Sequence, residues 1–203
     1  MSSNPFKVEH RYLELPDSFY TRVPPTPLKD ARMVCFNHDL AGEMGFHTQN
    51  PEDWTGIGAG TELLEGMDPV AMKYTGHQFG MYNPDLGDGR GLLLWETVGP
   101  DGRRWDWHLK GAGTTPYSRF GDGKAVLRST IREYLCSEAM AALGIPTTRA
   151  LFMVSAKDPV RRESIETAAA LVRVAQTHIR FGHFEFAAHH EGKQALKTLI
   201  EHV

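Results

Sequence analysis

Hydrophobic and polar residues alternate most clearly in the middle of the chain, where they predict an antiparallel hairpin. Residues 91–97 are rich in leucine, and residues 105–110 alternate large apolar with polar side chains. The connection between them, residues 99–103, is composed of Gly, Pro, Asp, Gly and Arg, a strong turn signal. Successive side chains of a strand point to opposite faces, so Lys110 is predicted to face a polar space rather than the core.

The next long pattern predicts a helix over residues 127–143. Gly144 follows as a C-terminal cap, and Pro146 beyond it cannot continue a helix. Apolar residues occur on most sides of this helix, which predicts burial between two layers. Ahead of the hairpin the pattern is weaker: residues 1–30 are proline-rich and irregular, and residues 30–70 predict loops with short helices.

Beyond the long helix the chain predicts a second hairpin and then helices. Strands at 149–155 and 168–175 are expected to be joined by the charged connection 157–166. Helical patterns begin at residue 178, and the amphipathic stretch 193–202 is expected to pack its apolar face against a lobe that lies outside the chain.

These elements predict the α+β class, an antiparallel sheet with one long helix packed against it. A lysine on a strand followed by a helix that carries glutamates is the arrangement of a protein-kinase N-lobe, in which a helix acid holds the lysine against nucleotide phosphates. Glu133 and Glu138 are the candidate partners of Lys110, and helical geometry does not choose between them. The C-lobe of such a fold is expected to be missing or truncated.

Composition and charge favour a folded protein with a small anionic ligand. The 203 residues are 41% hydrophobic, and the formal net charge of −3 argues against a broad nucleic-acid or membrane surface. Charge is uneven, however: from Lys110 to Arg132 there are five cationic side chains and a single acid, Asp122. We therefore expect neither nucleic acid nor membrane as a partner.

Cysteine usage and the N-terminus predict a cytoplasmic location. Only Cys35 and Cys136 occur, too few for a disulfide framework, which favours a reducing compartment. The first residues have no apolar core of signal-peptide length, and no window approaches the length of a transmembrane helix. The ten histidines lack the spacing with cysteine or carboxylates that is typical of a metal site.

Two glycine-rich loops on either side of the first hairpin predict a polyphosphate site. Residues 86–90 are Leu-Gly-Asp-Gly-Arg, and residues 111–123 follow Lys110 with glycines, hydroxyls and cations. Glycine lets several backbone N–H groups face one anion. Alone, a Gly-Asp-Gly segment is more often a tight turn and Lys110 a solvated lysine, but two such loops around one lysine favour a ligand site. Arg173, inside an apolar run, could be structural, paired to a helix acid, or a phosphate ligand.

Longer motifs, in order along the chain, resemble a known family. They are residues 74–80 (Tyr-Thr-Gly-His-Gln-Phe-Gly), 86–90, 109–113 (Leu-Lys-Gly-Ala-Gly), 115–123 (Thr-Pro-Tyr-Ser-Arg-Phe-Gly-Asp-Gly), 131–140 (Ile-Arg-Glu-Tyr-Leu-Cys-Ser-Glu-Ala-Met), 144–151, 172–175 and 178–182. Together they resemble the selenoprotein O family, called YdiU in bacteria. The resemblance runs through nearly all of the chain from Tyr20 onward.

The resemblance implies a protein-kinase-like fold and a protein nucleotidyltransferase. Such an enzyme transfers AMP from ATP to Ser, Thr or Tyr hydroxyls of protein substrates, with Mg²⁺ or Mn²⁺, and UMP transfer is also attributed to bacterial members. Carried onto this chain, the residues implied to bind ATP are Gly87, Gly89, Arg90, Lys110, Asp122, Gly123, Arg173 and Arg180. Glu133 would be the ion-pair partner of Lys110, and Arg173 and Arg180 would hold the outward phosphates.

The same resemblance places the catalytic Asp and the Asn and Asp that bind the metal beyond the position matching Val203. No catalytic residue and no metal ligand is therefore expected within the chain, which is interpreted as an N-terminal part. Three segments are predicted: an arm with irregular and helical structure (1–73), a kinase-like nucleotide-binding lobe (74–176) and the truncated start of a helical lobe (177–203). The alternatives are a non-catalytic nucleotide-binding module, a truncated gene product, or a kinase that transfers the γ-phosphoryl group.

Overall fold

A large antiparallel sheet forms the centre of the computed structural model, which describes residues 6–203. The first five residues of the predicted N-terminal arm lie outside the described residues. The strands, in chain order, are β1 (Lys7–Glu9), β2 (Tyr20–Arg22), β3 (Arg32–Phe36), β4 (Val70–Met72), β5 (Gly76–Gln78), β6 (Met81–Asn83), β7 (Gly91–Val98), β8 (Arg104–Lys110), β9 (Ala125–Val126), β10 (Arg149–Arg161) and β11 (Ile165–Ala175). Across the described residues the order is β2-β4-β7-β8-β11-β10-β3, with β1 on β7 and β9 on β11, while β5 and β6 form a separate hairpin.

Short helices surround one long helix. The α-helices are α1 (His38–Glu43), α2 (Thr55–Gly58), α3 (Leu127–Ala142), α4 (Phe181–Phe186) and α5 (Gly192–His202), with 3₁₀ turns at Arg11–Glu14, Asp17–Phe19 and Pro51–Trp54 and a π-helical turn at Ala187–Glu191. The mixed α+β class with an antiparallel sheet and packed helices is thus confirmed. Both predicted hairpins and the long helix are present.

Local hydrogen bonds explain where the central elements turn and begin. Between β7 and β8 the Gly99 N–H donates to the Arg103 carbonyl (2.8 Å), and the Arg103 N–H donates to the Asp101 carboxylate (3.0 Å). Gly102 has a φ of +80°, a left-handed conformation that favours glycine in a turn. Helix α1 begins at a capping residue, Asn37, whose side chain accepts the Leu40 N–H.

The second hairpin is longer than predicted, and the expected charged connection at 157–166 is wrong. Strands β10 and β11 continue to Arg161 and Ile165, so a short turn joins them. Val160 is buried between the exposed residues Pro159 and Arg161, which is the alternation of a half-buried strand. Pro159 lies at a register irregularity of the pair, a place where a residue without an N–H is tolerated.

The proline-rich N-terminal part is not a purely irregular arm. Strand β1 pairs with β7, and β2 pairs with β4, so both extend the central sheet. Strands of the first predicted segment therefore share a sheet with strands of the second. The division at residues 73/74 and 176/177 stays a prediction.

The two faces of the sheet differ in chemistry. On the first face, Trp107 of β8 packs with Trp95 and Phe152 in an apolar core that residues 28–59 cover. The Trp107 N–H donates to Thr97 Oγ1 (2.9 Å), so its one polar atom is satisfied. On the second face β8 carries Asp106, His108 and Lys110, as the alternation predicts. Asp106 and His108 are nevertheless buried on this face, since they are 6% and 2% exposed.

Helix α5 finds its partner within the chain, so its expected packing on an absent lobe is wrong. Leu199 and Ala195 pack in a second apolar cluster with Tyr12 and Phe19 of the N-terminal 3₁₀ turns and with Phe186 of α4. Of the predicted apolar face, Leu196 and Leu199 belong to this cluster, whereas Ile200 is 60% exposed. The sequence pattern cannot give the partner, because residues 12–19 and 195–199 are far apart along the chain.

Helix α3 is not buried between two layers. Its inner side meets β10 and β11 through Ile131 and Tyr134, which contact Ala150, Met153 and Leu171. Its outer side is open among the described residues: Leu135, Met140 and Leu143 are 62%, 39% and 74% exposed. No helix of the described residues is long and apolar enough to cross a membrane.

The packing of α5 makes a prediction about stability. Leu199→Ala should lower the free energy of unfolding by about 3 kcal/mol, because Leu199 is fully buried and its truncation leaves a cavity. Urea unfolding followed by circular dichroism measures the loss. The neighbouring Ile200→Ala is the matched control and should cost less than about 1 kcal/mol, since Ile200 is 60% exposed. Equal losses for the two variants would contradict this packing.

Candidate functional site

A cavity of about 580 Å³ opens on the polar face of the sheet. Its walls come from the loop before β7, the loop after β8, the β5–β6 hairpin and the facing residues of β8 and β11. The cationic residues that line it are Arg90, Lys110, Arg119, Lys124, Arg162, Arg173 and Arg180. Among the described lining residues the acids are Asp88 and Asp122. A cavity with this excess of cations suits a ligand with several negative charges.

Lys110 and Arg173 meet at one carboxylate. Lys110 lies at the end of β8, its Nζ donates to Glu133 Oε2 of α3, and Arg173 of β11 donates from Nη1 to Glu133 Oε1 at 3.2 Å. Burial lowers the pKa of Lys110, and Glu133 opposes this shift. Burial also lowers the pKa of Arg173, which Glu133 again opposes. The carboxylate therefore keeps two neighbouring cations side by side on the floor of the cavity.

Glu138, the other candidate partner of Lys110, has a different role in the structure. Its carboxylate accepts hydrogen bonds from the Arg149 guanidinium (2.9 Å), the Ala150 N–H (2.8 Å) and the Asn37 amide (2.8 Å). It fixes α3 to the start of β10. The structure thus brings Glu133, and not Glu138, to Lys110.

The Gly-Asp-Gly loop packs against the loop that follows β8. A β-carbon on Gly87 would approach the Tyr117 ring to 2.6 Å, and one on Gly89 would approach the Tyr117 carbonyl to 2.8 Å, so side chains are excluded at both positions. Ser118 Oγ donates to the Gly89 carbonyl (2.6 Å), and Thr115 Oγ1 donates to the Asp88 carbonyl (2.7 Å). The two predicted loops form one rigid wall.

Asp122 and Gly123 lie on the same wall. Gly123 has a φ of +68°, and a β-carbon there would collide with the backbone of Gly113. The Asp122 carboxylate accepts two hydrogen bonds from Arg162, at 2.8 and 3.0 Å, which hold its pKa below the usual range. The sequence prediction misses Arg162, since it places this residue in a loop rather than beside the site.

The remaining predicted residues, Arg90 and Arg180, also line the cavity. The Arg90 carbonyl accepts the Gly111 N–H at 2.8 Å, which ties the start of β7 to the end of β8. The Arg180 guanidinium lies over the Tyr74 ring, 5.3 Å from its centroid, in a cation–π contact. All eight predicted ATP ligands thus belong to the cavity lining.

A buried polar group that the sequence does not flag lies behind this floor. His108 bridges Asp88 and Arg173, with His108 Nε2 2.9 Å from Asp88 Oδ2 and Arg173 Nη2 3.1 Å from His108 Nδ1. The period-two alternation of β8 puts His108 on the same face as Lys110, which is the one signal that could have found it.

The described residues do not provide a site that fits Mg²⁺ or Mn²⁺. Across residues 6–203 no group of three His, Cys, Asp or Glu side chains is arranged to hold a metal ion. The two carboxylates of the cavity are already held by other side chains, Asp88 by His108 and Asp122 by Arg162. These cations prefer several oxygen ligands that are free to coordinate.

Comparison with known proteins gives the family of the chain. A sequence model described as "Protein adenylyltransferase SelO" matches residues 4–203. The chain belongs to the SelO family. Similar proteins include three described as "Protein nucleotidyltransferase YdiU". The one from Vibrio parahaemolyticus is 58% identical over 176 residues, which cover 87% of this chain and 36% of that protein.

Two further relatives extend the match. The protein from Vibrio vulnificus strain YJ016 is 55% identical over 201 residues, covering 97% of this chain and 40% of that protein. The protein from Aliivibrio fischeri strain ES114 is 54% identical over 202 residues, covering 98% of this chain and 42% of that protein. The resemblance inferred from the motifs is confirmed. The chain spans about 40% of the length of the relatives it matches.

A buried acid behind the site gives a prediction about pH. Burial, reinforced by Glu96 on the neighbouring strand, raises the pKa of Asp106 from 3.8 to about 8. The native state therefore keeps a proton that the unfolded chain releases near pH 4. The stabilisation from this group should be complete below that pH and be lost as the pH rises through about 8, by at most about 1.4 kcal/mol per pH unit.

Asp106→Asn should flatten this dependence. The variant keeps an oxygen to accept the His178 N–H, which Asp106 now accepts at 2.8 Å, and it removes the titrating group. Urea unfolding of both proteins between pH 5 and pH 8.5 measures the two slopes. Asp101→Asn is the control, because Asp101 is exposed and backbone and side-chain hydrogen bonds from Arg103 lower its pKa instead. Parallel curves for the parent and Asp106→Asn would contradict the prediction.

Proposed function

We propose that these residues hold ATP for transfer of AMP to hydroxyl groups of protein substrates. The observation that carries the proposal is the convergence of Lys110, Glu133 and Arg173 on the floor of a cationic cavity. The family description, protein adenylyltransferase, supplies the reaction class. The relatives named as protein nucleotidyltransferases support the same class.

In this proposal each element of the cavity has a part. The Gly-Asp-Gly loop and Gly123 form a wall beside the nucleotide, in which glycine allows the two loops to pack closely against each other. Lys110 binds phosphate oxygens and is oriented by Glu133. Arg173 and Arg180 hold the outward phosphates, and their planar guanidinium groups can each contact two phosphate oxygens. Asp122 and Arg90 line the remaining walls.

Transfer of AMP releases pyrophosphate, and the leaving group gains negative charge as its bond to the α-phosphorus breaks. Fixed cations beside the outward phosphates stabilise that charge without reorganising during the step. An arginine in such a position can raise the rate of phosphoryl transfer by about 10³–10⁵-fold. Arg173, whose side chain is 11% exposed and is fixed by Glu133, is suited to this task because its guanidinium is already oriented.

The proposal also includes the arrangement of the fold. The sheet with α3 and its Lys110–Glu133 pair corresponds to a kinase-like N-lobe, with residues 74–176 as the nucleotide-binding lobe. The acid near the attacking hydroxyl and the ligands of Mg²⁺ or Mn²⁺ are then contributed from outside residues 6–203. One observation favours a second function, a nucleotide-binding module without turnover: the described residues provide no cluster of metal ligands.

Binding of ATP is the first test. The chain should bind ATP, and Lys110→Ala should weaken the binding about tenfold, the effect of losing one contact to a charged group. Isothermal titration calorimetry measures the dissociation constants. Lys157→Ala is the matched control, because Lys157 lies on β10 outside the cavity and is 80% exposed. A folded chain that does not bind ATP would contradict the proposal.

Label transfer separates the candidate reactions. The chain is incubated with an acceptor protein, Mg²⁺ or Mn²⁺, and ATP labelled at the α- or the γ-position. Label from the α-position on protein supports AMP transfer by these residues, whereas label from the γ-position alone supports a kinase. Binding of ATP without either label limits these residues to holding the nucleotide.

Selectivity among nucleotides tests the role of Arg173. Arg173→Ala should weaken the binding of ATP about tenfold and that of AMP less than about threefold. AMP lacks the outward phosphates that Arg173 is proposed to hold. Arg128→Ala serves as the control: this arginine is exposed, pairs with Glu166 and lies outside the cavity. Equal losses for ATP and AMP would count against the assignment.

A further inference from the structure

His108 occupies a buried position between two parts of the candidate site. It lies on β8, two residues before Lys110, and it is 2% exposed. Its Nε2 is 2.9 Å from Asp88 of the Gly-Asp-Gly loop, and its Nδ1 is 3.1 Å from Nη2 of Arg173. One imidazole thus connects the loop on one side of the cavity with the arginine on its floor.

The two partners fix the protonation of the ring. Burial opposes ionisation of Asp88, but the hydrogen bond with His108 and the positive charge of Arg180 outweigh this and lower its pKa, so the carboxylate is ionised and can only accept. A guanidinium can only donate. His108 must therefore donate from Nε2 and accept at Nδ1, which is a neutral imidazole. Burial lowers the pKa of His108 and favours the same neutral form.

Neighbouring residues restrict the position of the His108 ring. A β-carbon on Gly91, the first residue of β7, would collide with the His108 imidazole, so glycine at this position makes room for it. On its other side the His178 ring stacks on it, with centroids 4.9 Å apart and planes 24° apart. The imidazole is therefore held by packing as well as by hydrogen bonds.

Arg173 is oriented through this ring. Its Nη1 donates to Glu133 and its Nη2 to His108, while among the described residues its buried Nε has no partner. A guanidinium has five N–H donors. Two fixed contacts thus set its direction and leave the other donors for a ligand. Asp88, at the far side of His108, is fixed in turn by its backbone, since its N–H donates to the Met72 carbonyl (2.9 Å).

We propose that His108 is a positioning residue for nucleotide binding, which holds the Arg173 guanidinium in register with the Gly-Asp-Gly loop. This inference rests on the proposed function of the cavity as an ATP site. His108 itself does not contact the phosphates. It connects Arg173 on the floor of the cavity with the Gly-Asp-Gly loop on its wall. Loss of the ring should therefore weaken ATP binding as the loss of Arg173 does.

A double-mutant cycle tests the coupling. Affinities for ATP and AMP are measured by calorimetry for the parent, His108→Leu, Arg173→Ala and the double variant. His108→Leu should weaken the binding of ATP about tenfold and that of AMP less than about threefold. The double variant should bind ATP within about twofold of Arg173→Ala, because both changes remove the same oriented guanidinium. Additive losses, or unchanged ATP affinity in His108→Leu, would overturn the inference.

Two further variants separate positioning from packing. His108→Gln keeps a neutral side chain with one donor group and one acceptor, and it should bind ATP at least threefold more tightly than His108→Leu. His178→Leu is the matched control: His178 is equally buried and stacks on His108, but its ring nitrogens make no hydrogen bond within the described residues. It should retain the parent's ATP affinity. A loss equal to that of His108→Leu would assign both rings to packing alone and overturn the inference.

The ring can also be observed without nucleotide. Nitrogen-15 spectra of the histidine-labelled chain at pH 7 should show His108 protonated at Nε2 and unprotonated at Nδ1, assigned by its absence in His108→Gln. A proton on Nδ1 would overturn the inference even if ATP binds. A parent chain that shows the expected tautomer and does not bind ATP would overturn the proposed function, and with it this role of His108.

Discussion

The carboxylate of Glu133 is the interaction on which the site depends. Lys110 and Arg173 come from neighbouring strands, β8 and β11, and burial, with the positive charge of Arg173 adding to it, lowers the pKa of Lys110. A single acid on α3 contacts both and offsets their repulsion. Since Glu138 fixes the same helix to β10 through Arg149, two carboxylates define how α3 lies on the sheet. The helix is therefore placed by these ion pairs together with the apolar contacts of Ile131 and Tyr134, and its apolar outer side stays open among the described residues.

Burying polar groups behind this site costs free energy, and the fold limits this cost in two ways. Where partners are available, as for Asp88 and His108, buried groups form hydrogen bonds that keep one charged and the other neutral. Where an acid is buried and a negative neighbour also faces it, as Glu96 faces Asp106, the acid keeps its proton instead. Both solutions restrict the protonation states in which the sheet packs well. They leave the floor of the cavity, Lys110 and Arg173, as the charged part.

The sequence predicts what depends on neighbours along the chain. The β7–β8 hairpin, the bounds of α3 and the direction of Lys110 follow from local alternation and turn residues. The choice of Glu133 over Glu138 does not, because these residues lie about 140° apart around the helix and only the position of the sheet decides which one meets Lys110. Arg162 and the partner of α5 are missed for the same reason, since their contacts join residues about 40 and 180 positions apart.

The distribution of ion pairs explains why the cavity is suited to a polyphosphate. Lys124 is paired with Asp158, and Arg162 with Asp122, so these two cations mainly stabilise the wall. Within residues 6–203 no acid lies within ion-pair distance of Arg90, Arg119 or Arg180, and Lys110 and Arg173 share one carboxylate. The fold thus leaves an excess of positive charge around one opening. Such an excess is unfavourable in the empty protein and is relieved when an anion with several charges binds, which couples the stability of the cavity to its ligand.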